Sequence, residues 1–333
     1  MIALQFRVLM ALVLGFTALS SAAAPRIKVG LVLDKGGKDD KSFNASAFLG
    51  MEKAGKELAV DTKFIEAIDD NAFEPLLRSF AKKDYDLIIA IGFSQAEALR
   101  KVAAQFPQKK FAIVDSEVNL PNVRSLMFEE HQGSYLAGAL AAMKSKSGKI
   151  GFVGGMDNPL IRRFLLGYES GAKAINPKAV VVTNFVGITG EAWNNPPKAK
   201  ELALAQFQAG SEVIFTASGA SNIGVFDAME EKKGLAIGCD SNQNWIKPGI
   251  ILTSMLKRVD VAVYKSIKDA SEGKFTAGTV RYGLENDGVD LAQDQFNSKL
   301  IDDQQKARLA QLKLDIVSGK LKVPDFYLQP TQR

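Results

Sequence analysis

Cysteine and histidine are almost missing from this 333-residue sequence, which contains one of each, Cys239 and His131. A single cysteine excludes an internal disulfide, and the pair cannot supply the His/Cys ligand sets of zinc sites. Cys239 ends an apolar run, and we interpret it as a buried strand residue because a cysteine nucleophile needs a histidine partner. His131 follows two glutamates and is predicted to have a hinge or surface role. We therefore expect no metal and no cofactor.

An excess of charge of one sign is also lacking. The chain has 42 basic and 37 acidic residues, a net charge of +5. Lysines and arginines are mixed with acids, as in Glu230–Lys233, so no continuous basic stripe of the kind that follows nucleic acid is present. We interpret the charges as solvated faces and expect no nucleic-acid partner.

Common catalytic motifs are absent from the sequence as well. It has no G-x-S-x-G elbow, no H-E-x-x-H and no G-x-G-x-x-G loop after a strand. Asp115 and Asp240 each follow an apolar run and could form the carboxylate pair of a glycosidase-like reaction. Aspartates at strand ends equally accept hydrogen bonds from ligand hydroxyls and N–H groups. We therefore expect a binding protein and not an enzyme.

The first 23 residues have the pattern of a secretory signal peptide. Arg7 precedes an apolar core, Val8 to Leu19, and the small residues Ser21 and Ala23 fit the positions before a cleavage site. The apolar run is interrupted and falls short of the ~20 residues that a membrane span needs. No cysteine follows the core. The sequence thus predicts a soluble periplasmic protein with a cleaved signal peptide and no lipobox cysteine.

Beyond that segment, short apolar runs alternate with amphipathic helical patterns. In the helical segments apolar residues recur at i, i+3, i+4 and i+7, as from Phe73 to Phe80. Buried strands that alternate with such helices predict a parallel sheet covered on both faces, with ligands bound beyond the carboxyl ends of the strands. The pattern occurs twice, from Ile27 and again from Lys149. Two lobes whose strand ends face each other across a cleft are therefore predicted.

The stretch Asp34–Asn44, DKGGKDDKSFN, joins the first predicted strand to the first predicted helix. Free backbone N–H groups at a helix N-terminus point at whatever lies above the sheet edge. A Walker A phosphate loop is disfavoured because Asp40 stands where its second glycine is required. Phe43 could merely pack, but beside Asn44 it suits a flat polar ligand, since a ring can stack while an amide reads edges.

This stretch resembles the signature of the basic membrane protein family. The family comprises substrate-binding lipoproteins and periplasmic proteins of ABC importers, and its best understood members are purine nucleoside receptors. Further resemblances follow in the family's order along the chain, at Ile113–Asp115, Glu130–Gly138, Gly151–Gly155, Gly238–Gln243 and Lys247–Asp260. Each segment is short, but their order and spacing together are specific.

The resemblance implies a type I periplasmic binding protein fold, an α/β architecture of two doubly wound parallel-sheet lobes joined by hinge crossovers. Residues 24–129 with 254–277 are expected to form the first lobe. Residues 130–253 with 278–333 are expected to form the second.

The resemblance also implies which residues line the site. In the nucleoside receptors the base lies between two phenylalanines, one from each lobe, and the matching residues here are Phe43 and Phe226. Phe226 also fits a core position of a helix. Ser42, Gly219 and Trp193 are further candidates for the lining of the site.

Four polar residues complete the expected site. By resemblance, Asn44 and Asp115 read the edge of the base, since an amide donates and accepts while a carboxylate accepts N–H protons. Asp240 and Lys257 are expected to hold the ribose hydroxyls through charge-assisted hydrogen bonds. Asp240 could instead cap a turn, and Lys257 could lie on the surface at a helix start.

The sequence therefore predicts a periplasmic substrate-binding protein of an ABC importer whose two lobes close on a purine nucleoside such as guanosine, inosine or adenosine. Its expected partners are the permease subunits of the transporter, and a monomer is expected. A riboflavin or sugar-like ligand, a sensory receptor domain and a nucleoside-cleaving enzyme remain the alternatives.

Overall fold

The computed structural model describes residues 26–329, so the predicted signal peptide lies outside the described residues. The strands of this part of the chain are β1 (Ile27–Leu33), β2 (Val60–Glu66), β3 (Leu87–Ile91), β4 (Lys110–Val114), β5 (Val123–Phe128), β6 (Lys149–Met156), β7 (Val180–Gly187), β8 (Val213–Ala217), β9 (Leu235–Asp240), β10 (Ile251–Lys257), β11 (Gly278–Tyr282) and β12 (Val289–Leu291). Its α-helices are α1 (Phe43–Glu57), α2 (Phe73–Lys82), α3 (Ala96–Gln105), α4 (Glu130–Lys144), α5 (Pro159–Ile175), α6 (Pro196–Gln208), α7 (Asn222–Lys232), α8 (Val259–Ser271) and α9 (Asp303–Val317).

The strands form two six-stranded sheets of the same design. The first has the order β11-β5-β4-β3-β1-β2 and the second the order β12-β10-β9-β8-β6-β7. All neighbouring strands are parallel except β10 and β12, which are antiparallel. The predicted architecture of two parallel-sheet α/β lobes is confirmed.

Burial of the central strands explains why these segments form sheets covered on both faces. All five residues of β3 are buried, and so are all five of β8. The amphipathic helix α2 buries Leu77 and Phe80 against the first sheet. Gly30 in β1 permits this approach, because a Cβ there would lie 2.6 Å from the Phe80 ring.

The chain passes between the lobes at three places. β5 ends at Phe128, and α4, which follows, packs against α5 of the second lobe. β10 of the second lobe ends at Lys257, and α8, which follows, packs against α1 of the first lobe. The third passage, residues 283–288, joins β11 to β12. The two sheets therefore share three hinge connections.

Two of the predicted lobe boundaries disagree with this strand pairing. Residues 254–257 were expected in the first lobe, but they pair with β9 and β12 in the second sheet. Residues 278–282 were expected in the second lobe, but they pair with β5 in the first sheet. The predicted boundaries place the crossings before these segments, whereas both segments are strands and the chain crosses only after each strand ends.

Candidate ligand-binding site

The carboxyl ends of the two sheets face each other and enclose about 580 Å³ of empty space, part of it open to solvent. This size falls within the range of small-molecule sites. Seven of the nine predicted site residues line the cavity: Phe43, Asn44, Asp115, Trp193, Gly219, Asp240 and Lys257. The residues that line it without having been predicted include Asp34, Gly92, Phe93 and Phe164.

One end of the cavity is charged, and we call its three residues Asp115, Asp240 and Lys257 the charged pole. The Lys257 ammonium lies 2.7 Å from Asp115 Oδ2 and 2.9 Å from Glu130 Oε1. Asp240 Oδ2 accepts the Ser42 hydroxyl at 2.6 Å. Asp115 Oδ1 is buried and has no hydrogen-bond partner among the described residues. An unpaired buried carboxylate oxygen marks a place for a donor from a ligand.

The two aspartates of the charged pole occupy equivalent positions in the two lobes. Asp115 follows β4 and Asp240 ends β9, and these strands hold the same place in their sheets. Both residues have left-handed backbone angles, with φ of 67° and 66°. This conformation turns each chain sharply at the strand end and is better tolerated by aspartate than by most residues.

Burial dominates the ionisation of the charged pole. It raises the pKa of Asp115 to about 7, although Lys257 opposes the shift. It also raises the pKa of Asp240. Burial by itself lowers the pKa of Lys257, but Asp115, Glu130 and Asp240 outweigh it and the pKa is raised. One ammonium is therefore shared among three carboxyls, and Asp115 and Asp240 are left partly uncompensated.

The opposite end of the cavity is formed by Asp34, Asn44 and Gly92, which we call the distal pole. β3 separates β1 from β4, so at about 4.8 Å per strand Asp34 and Asp115 stand roughly 10 Å apart along the sheet edge. Asn44 Oδ1 accepts the backbone N–H of Asp34 at 2.9 Å, and its Nδ2 donates to Asp40 Oδ2 at 3.0 Å. Burial raises the pKa of Asp34.

Asp40 is the residue that caps α1. Its carboxylate accepts the backbone N–H groups of Ser42, Asn44 and Ala45 at 2.8–3.0 Å. Burial nevertheless raises its pKa to about 6. Asp40 thus holds Phe43 and Asn44, the first two residues of the helix, at the cavity wall.

Aromatic rings from both lobes form the walls between the poles. The Lys257 ammonium lies 5.3 Å from the Phe43 ring centroid and 5.6 Å from that of Phe164. Nearer the distal pole, Phe93 and Trp193 meet edge to face across the cleft, with centroids 6.4 Å apart. The cavity is therefore flanked by flat apolar surfaces, with polar groups at its two ends.

Hydrogen bonds join the lobes directly beside the cavity. The Ser42 hydroxyl lies 3.1 Å from the Cys239 carbonyl oxygen and also reaches Asp240. Ser241 donates to the carbonyl oxygen of Ser42 at 2.7 Å, and Gln243 donates to that of Lys41 at 3.0 Å. The structure therefore represents the protein with its lobes closed.

The structure corrects two predictions about individual site residues. Phe226 is fully buried in the core of the second lobe with Val225 and Met229. It lies one turn into α7, on the face that packs against the sheet, and cannot reach the cavity. Ser42 is buried between the lobes and bonds to protein groups instead of lining the cavity. Asp115 lies beside Lys257 at the charged pole, and its predicted role in reading the base edge together with Asn44 stays a prediction.

Among the cavity residues that the sequence analysis missed, Phe93 could have been predicted from its position in the sequence. It directly follows Gly92 at the carboxyl end of β3, where ligand contacts are expected. Phe164 could not, because its spacing within α5 is that of a core residue. It is 2% exposed and belongs to the core cluster while its ring edge borders the cavity.

A second charged cluster lies beside the first hinge connection. Arg163 of α5 is fully buried and pairs with Glu129, Glu130 and Asp325 at 2.6–2.7 Å. His131, predicted to lie at a hinge or on the surface, is buried next to this cluster, and burial with the nearby Arg163 lowers its pKa to about 4. Arg163 thereby ties the hinge and the C-terminal segment to the second lobe.

Comparison with known proteins gives relatives over most of the chain. A protein from Lactococcus lactis named "ABC transporter nucleoside-binding protein BmpA" is 33% identical, covering 90% of this chain and 89% of its own length. A crystal structure of an ABC transporter solute-binding protein from Aeropyrum pernix is 31% identical and has a TM-score of 0.83, covering 90% of this chain and 94% of that chain. The periplasmic binding protein fold is therefore confirmed.

The prediction of a soluble periplasmic protein is wrong on this comparison. A relative from Pyrococcus horikoshii, 36% identical over 79% of this chain and 68% of its own length, is named an uncharacterized lipoprotein. A 34% identical relative from Pyrococcus abyssi has the same description. The missing cysteine in residues 1–23, on which the prediction rested, therefore does not establish a soluble location. Within residues 26–329 no helix is long and apolar enough to cross a membrane.

The family itself is identified by a match across residues 27–325 to the family Bmp, described as "ABC transporter substrate-binding protein PnrA-like". Proteins of this kind bind small-molecule ligands and work with transporter permeases, and they are not enzymes. The two-lobed fold, the enclosed cavity and this match agree. The chain belongs to the Bmp family of ABC transporter substrate-binding proteins.

Proposed function

We propose that the cavity binds a purine nucleoside for import, with the ribose at the charged pole and the base towards the distal pole. The observation that carries this proposal is the charged pole itself. Two carboxylates and an ammonium, each no more than 8% exposed, converge there, and Asp115 Oδ1 has no partner among the described residues. A ligand that fits must bring both donors and acceptors to one small space.

A ribose meets this requirement because its two neighbouring hydroxyls each donate one hydrogen bond and accept others. One hydroxyl can donate to Asp115 Oδ1 and the other to Asp240, while one of the two oxygens can accept from the remaining donor of Lys257. An ammonium has three donors, and two of those of Lys257 already point to Asp115 and Glu130. Charge-assisted hydrogen bonds of this kind are roughly twice as strong as neutral ones.

The rest of the cavity suits a flat base. The poles stand roughly 10 Å apart, and rings of Phe43, Phe93, Phe164 and Trp193 border the space between them. Stacking of a base on an aromatic ring contributes about 1–3 kcal/mol. Asp34 at the distal pole can accept a base N–H. The printed name of the Lactococcus relative, a nucleoside-binding protein, agrees with this assignment.

Both walls of the cavity come from one chain, so the proposed site is complete in a monomer. A second copy contributes no residue to it. We therefore propose that a monomer binds the nucleoside and presents it to the permease.

Calorimetric titration of guanosine, 2′-deoxyguanosine and guanine tests the proposal. Guanine leaves the buried groups of the charged pole without hydroxyl partners, so guanosine should bind roughly 10⁴-fold tighter, with deoxyguanosine between them. In Asp240→Asn the gap between guanosine and guanine should narrow. The control is Asp227→Asn, which changes a half-exposed aspartate of the same lobe outside the cavity lining.

Equal affinity for guanine and guanosine would refute the ribose assignment and the nucleoside function with it. Tighter binding of free ribose than of guanosine would instead show that the cavity holds a sugar. A further check is small-angle scattering, in which guanosine should shift the protein towards the compact closed state.

A further inference from the structure

Each lobe carries one almost fully exposed isoleucine in the loop after its edge strand. Ile68 follows β2 and is 86% exposed, and Ile188 follows β7 and is 88% exposed. A single exposed apolar residue on a protein surface is ordinary. These two, however, occupy equivalent places, because β2 and β7 are the corresponding edge strands of sheets with the same order.

Closure of the lobes brings the two loops together. Lys35 of the first lobe lies 2.6 Å from Asp70, two residues beyond Ile68. A methyl group built on Gly190, two residues beyond Ile188, would collide with the same Lys35 ammonium. The loops therefore lie on either side of Lys35 and form one continuous surface. We call residues 66–70 and 188–191 the closure rim.

The closure rim is acidic in a chain whose net charge is +5. It contains Glu66, Asp69, Asp70 and Glu191, all exposed, and no lysine or arginine. Two lysines border the rim, and both are paired with acids. Lys35 has 16% of its side chain exposed and pairs with Asp70, and Lys38, 36% exposed, pairs with Asp39 while its backbone N–H donates to Glu66. The surface therefore presents two apolar side chains surrounded by negative charge.

We propose that the closure rim is the surface by which the transporter permease recognises the closed protein. A partner can favour the closed state only if it binds that state better than the open one, which requires contact with both lobes. The two halves of the rim are adjacent only when the lobes are closed. Its composition calls for a permease surface with an apolar pocket for each isoleucine and lysines or arginines around them.

The first test is site-specific photocrosslinking in the cells that make the protein, with a benzophenone amino acid in place of Ile68 or of Ile188. Leu314, 62% exposed on α9, is the matched control position. Both rim positions should give a product that mass spectrometry identifies as the chain joined to an ABC permease subunit, and Leu314 should not. Equal permease crosslinking from Leu314, or rim products that contain only a second copy of this chain, would overturn the proposal.

The second test is transport by charge variants. The double variant Ile68→Asp with Ile188→Asp should lower guanosine uptake by cells at least roughly tenfold, while the purified protein keeps its affinity for guanosine. Asp69→Lys with Glu191→Lys should act in the same way, and Leu314→Asp should leave uptake unchanged. Normal uptake by the isoleucine double variant would contradict the proposal.

The two tests separate this proposal from the identity of the ligand. The closure rim rests on the family and on the lobe geometry, not on a nucleoside. If the purified protein binds no guanosine, the proposed ligand is wrong, and the crosslinking from Ile68 and Ile188 still decides whether the rim contacts the permease.

Discussion

Proton uptake on binding offers a direct test of the role of Asp115. In the closed protein its Oδ1 has no partner among the described residues, and burial raises its pKa to about 7. In the open protein water reaches the carboxyl, and we take its pKa there as the ordinary value of 3.8. A carboxyl whose pKa rises on closure takes up a proton as the lobes close.

The ligand decides whether this uptake occurs. A ribose hydroxyl that donates to Oδ1 stabilises the carboxylate, so inosine should bind with almost no proton uptake attributable to Asp115. 2′,3′-Dideoxyinosine has no hydroxyl to donate there. At pH 6, one unit below a pKa of 7, Asp115 should then be about nine-tenths protonated in the complex, whereas it is almost fully ionised in the open protein.

The difference between the pKa of Asp115 in the closed and in the open protein determines whether affinity rises or falls with pH. Because the raised pKa belongs to the closed state, protonation favours closure as the pH falls. The affinity for dideoxyinosine should therefore rise about tenfold from pH 8 to pH 6, as the protonated fraction of Asp115 in the complex grows from about one-tenth to nine-tenths. The affinity for inosine should stay nearly constant in this range.

Titration calorimetry in two buffers of different ionisation enthalpy measures the protons taken up. The difference between the two ligands is the useful quantity, since contributions from Asp34 and Asp40 are common to both. Asp115→Asn should reduce the difference to the part that Asp240, whose pKa burial also raises, contributes. Equal proton uptake for inosine and dideoxyinosine in the unmodified protein would refute the reasoning and remove Asp115 from the ribose site.

Three further predictions follow from the contacts. Phe164→Ala should weaken guanosine binding by about 1–3 kcal/mol in a titration. Phe226→Ala should instead lower the free energy of unfolding by about 3–5 kcal/mol in a urea melt. The reverse pattern would support the sequence-based prediction that Phe226 contacts the ligand. Ser42→Ala removes a hydrogen bond between the lobes worth about 0.5–1.5 kcal/mol. Calorimetry should therefore show that the affinities for guanosine and for guanine fall by the same factor. A loss of affinity for guanosine alone would contradict this prediction. Arg163→Met leaves Glu129 and Asp325 without their buried partner, while Glu130 keeps its contact with Lys257, and it should cost about 3–5 kcal/mol of stability by urea denaturation. An unchanged midpoint would show that the cluster is unimportant.

The fold was predictable from the sequence because its signal is repeated. Five-residue apolar runs such as Leu87–Ile91, flanked by amphipathic helical patterns, indicate buried strands, and the structure has a fully buried strand there. The lobe boundaries were less accessible. Whether the apolar run Ile251–Met255 is a strand or a hinge depends on its pairing with β9, which no local pattern reveals.

Some residues of the candidate site could also be placed from the sequence, and others could not. Residues at strand ends, such as Asp115 and Asp240, could be placed from topology alone. Helical residues could not, because a ring one turn into a helix reaches either the core or the cleft according to how the helix is rotated. Phe164 borders the cavity and Phe226 does not. The pairing of Asp115 with Lys257 also depends on the approach of two lobes, about which the spacing of residues along the chain says nothing.

The equivalent positions of Asp115 and Asp240 have a consequence for the empty protein. Closing the lobes moves two carboxyls of like charge from water into one buried space, where a single ammonium must serve both together with Glu130. Repulsion between them grows as the gap narrows, so an unoccupied cleft is driven back towards opening. A hydroxyl-bearing ligand removes that repulsion by donating to both carboxylates. If the proposed function holds, the pair of residues that binds the ligand also disfavours closure of the empty protein, so the permease meets fewer copies that are closed but carry no ligand.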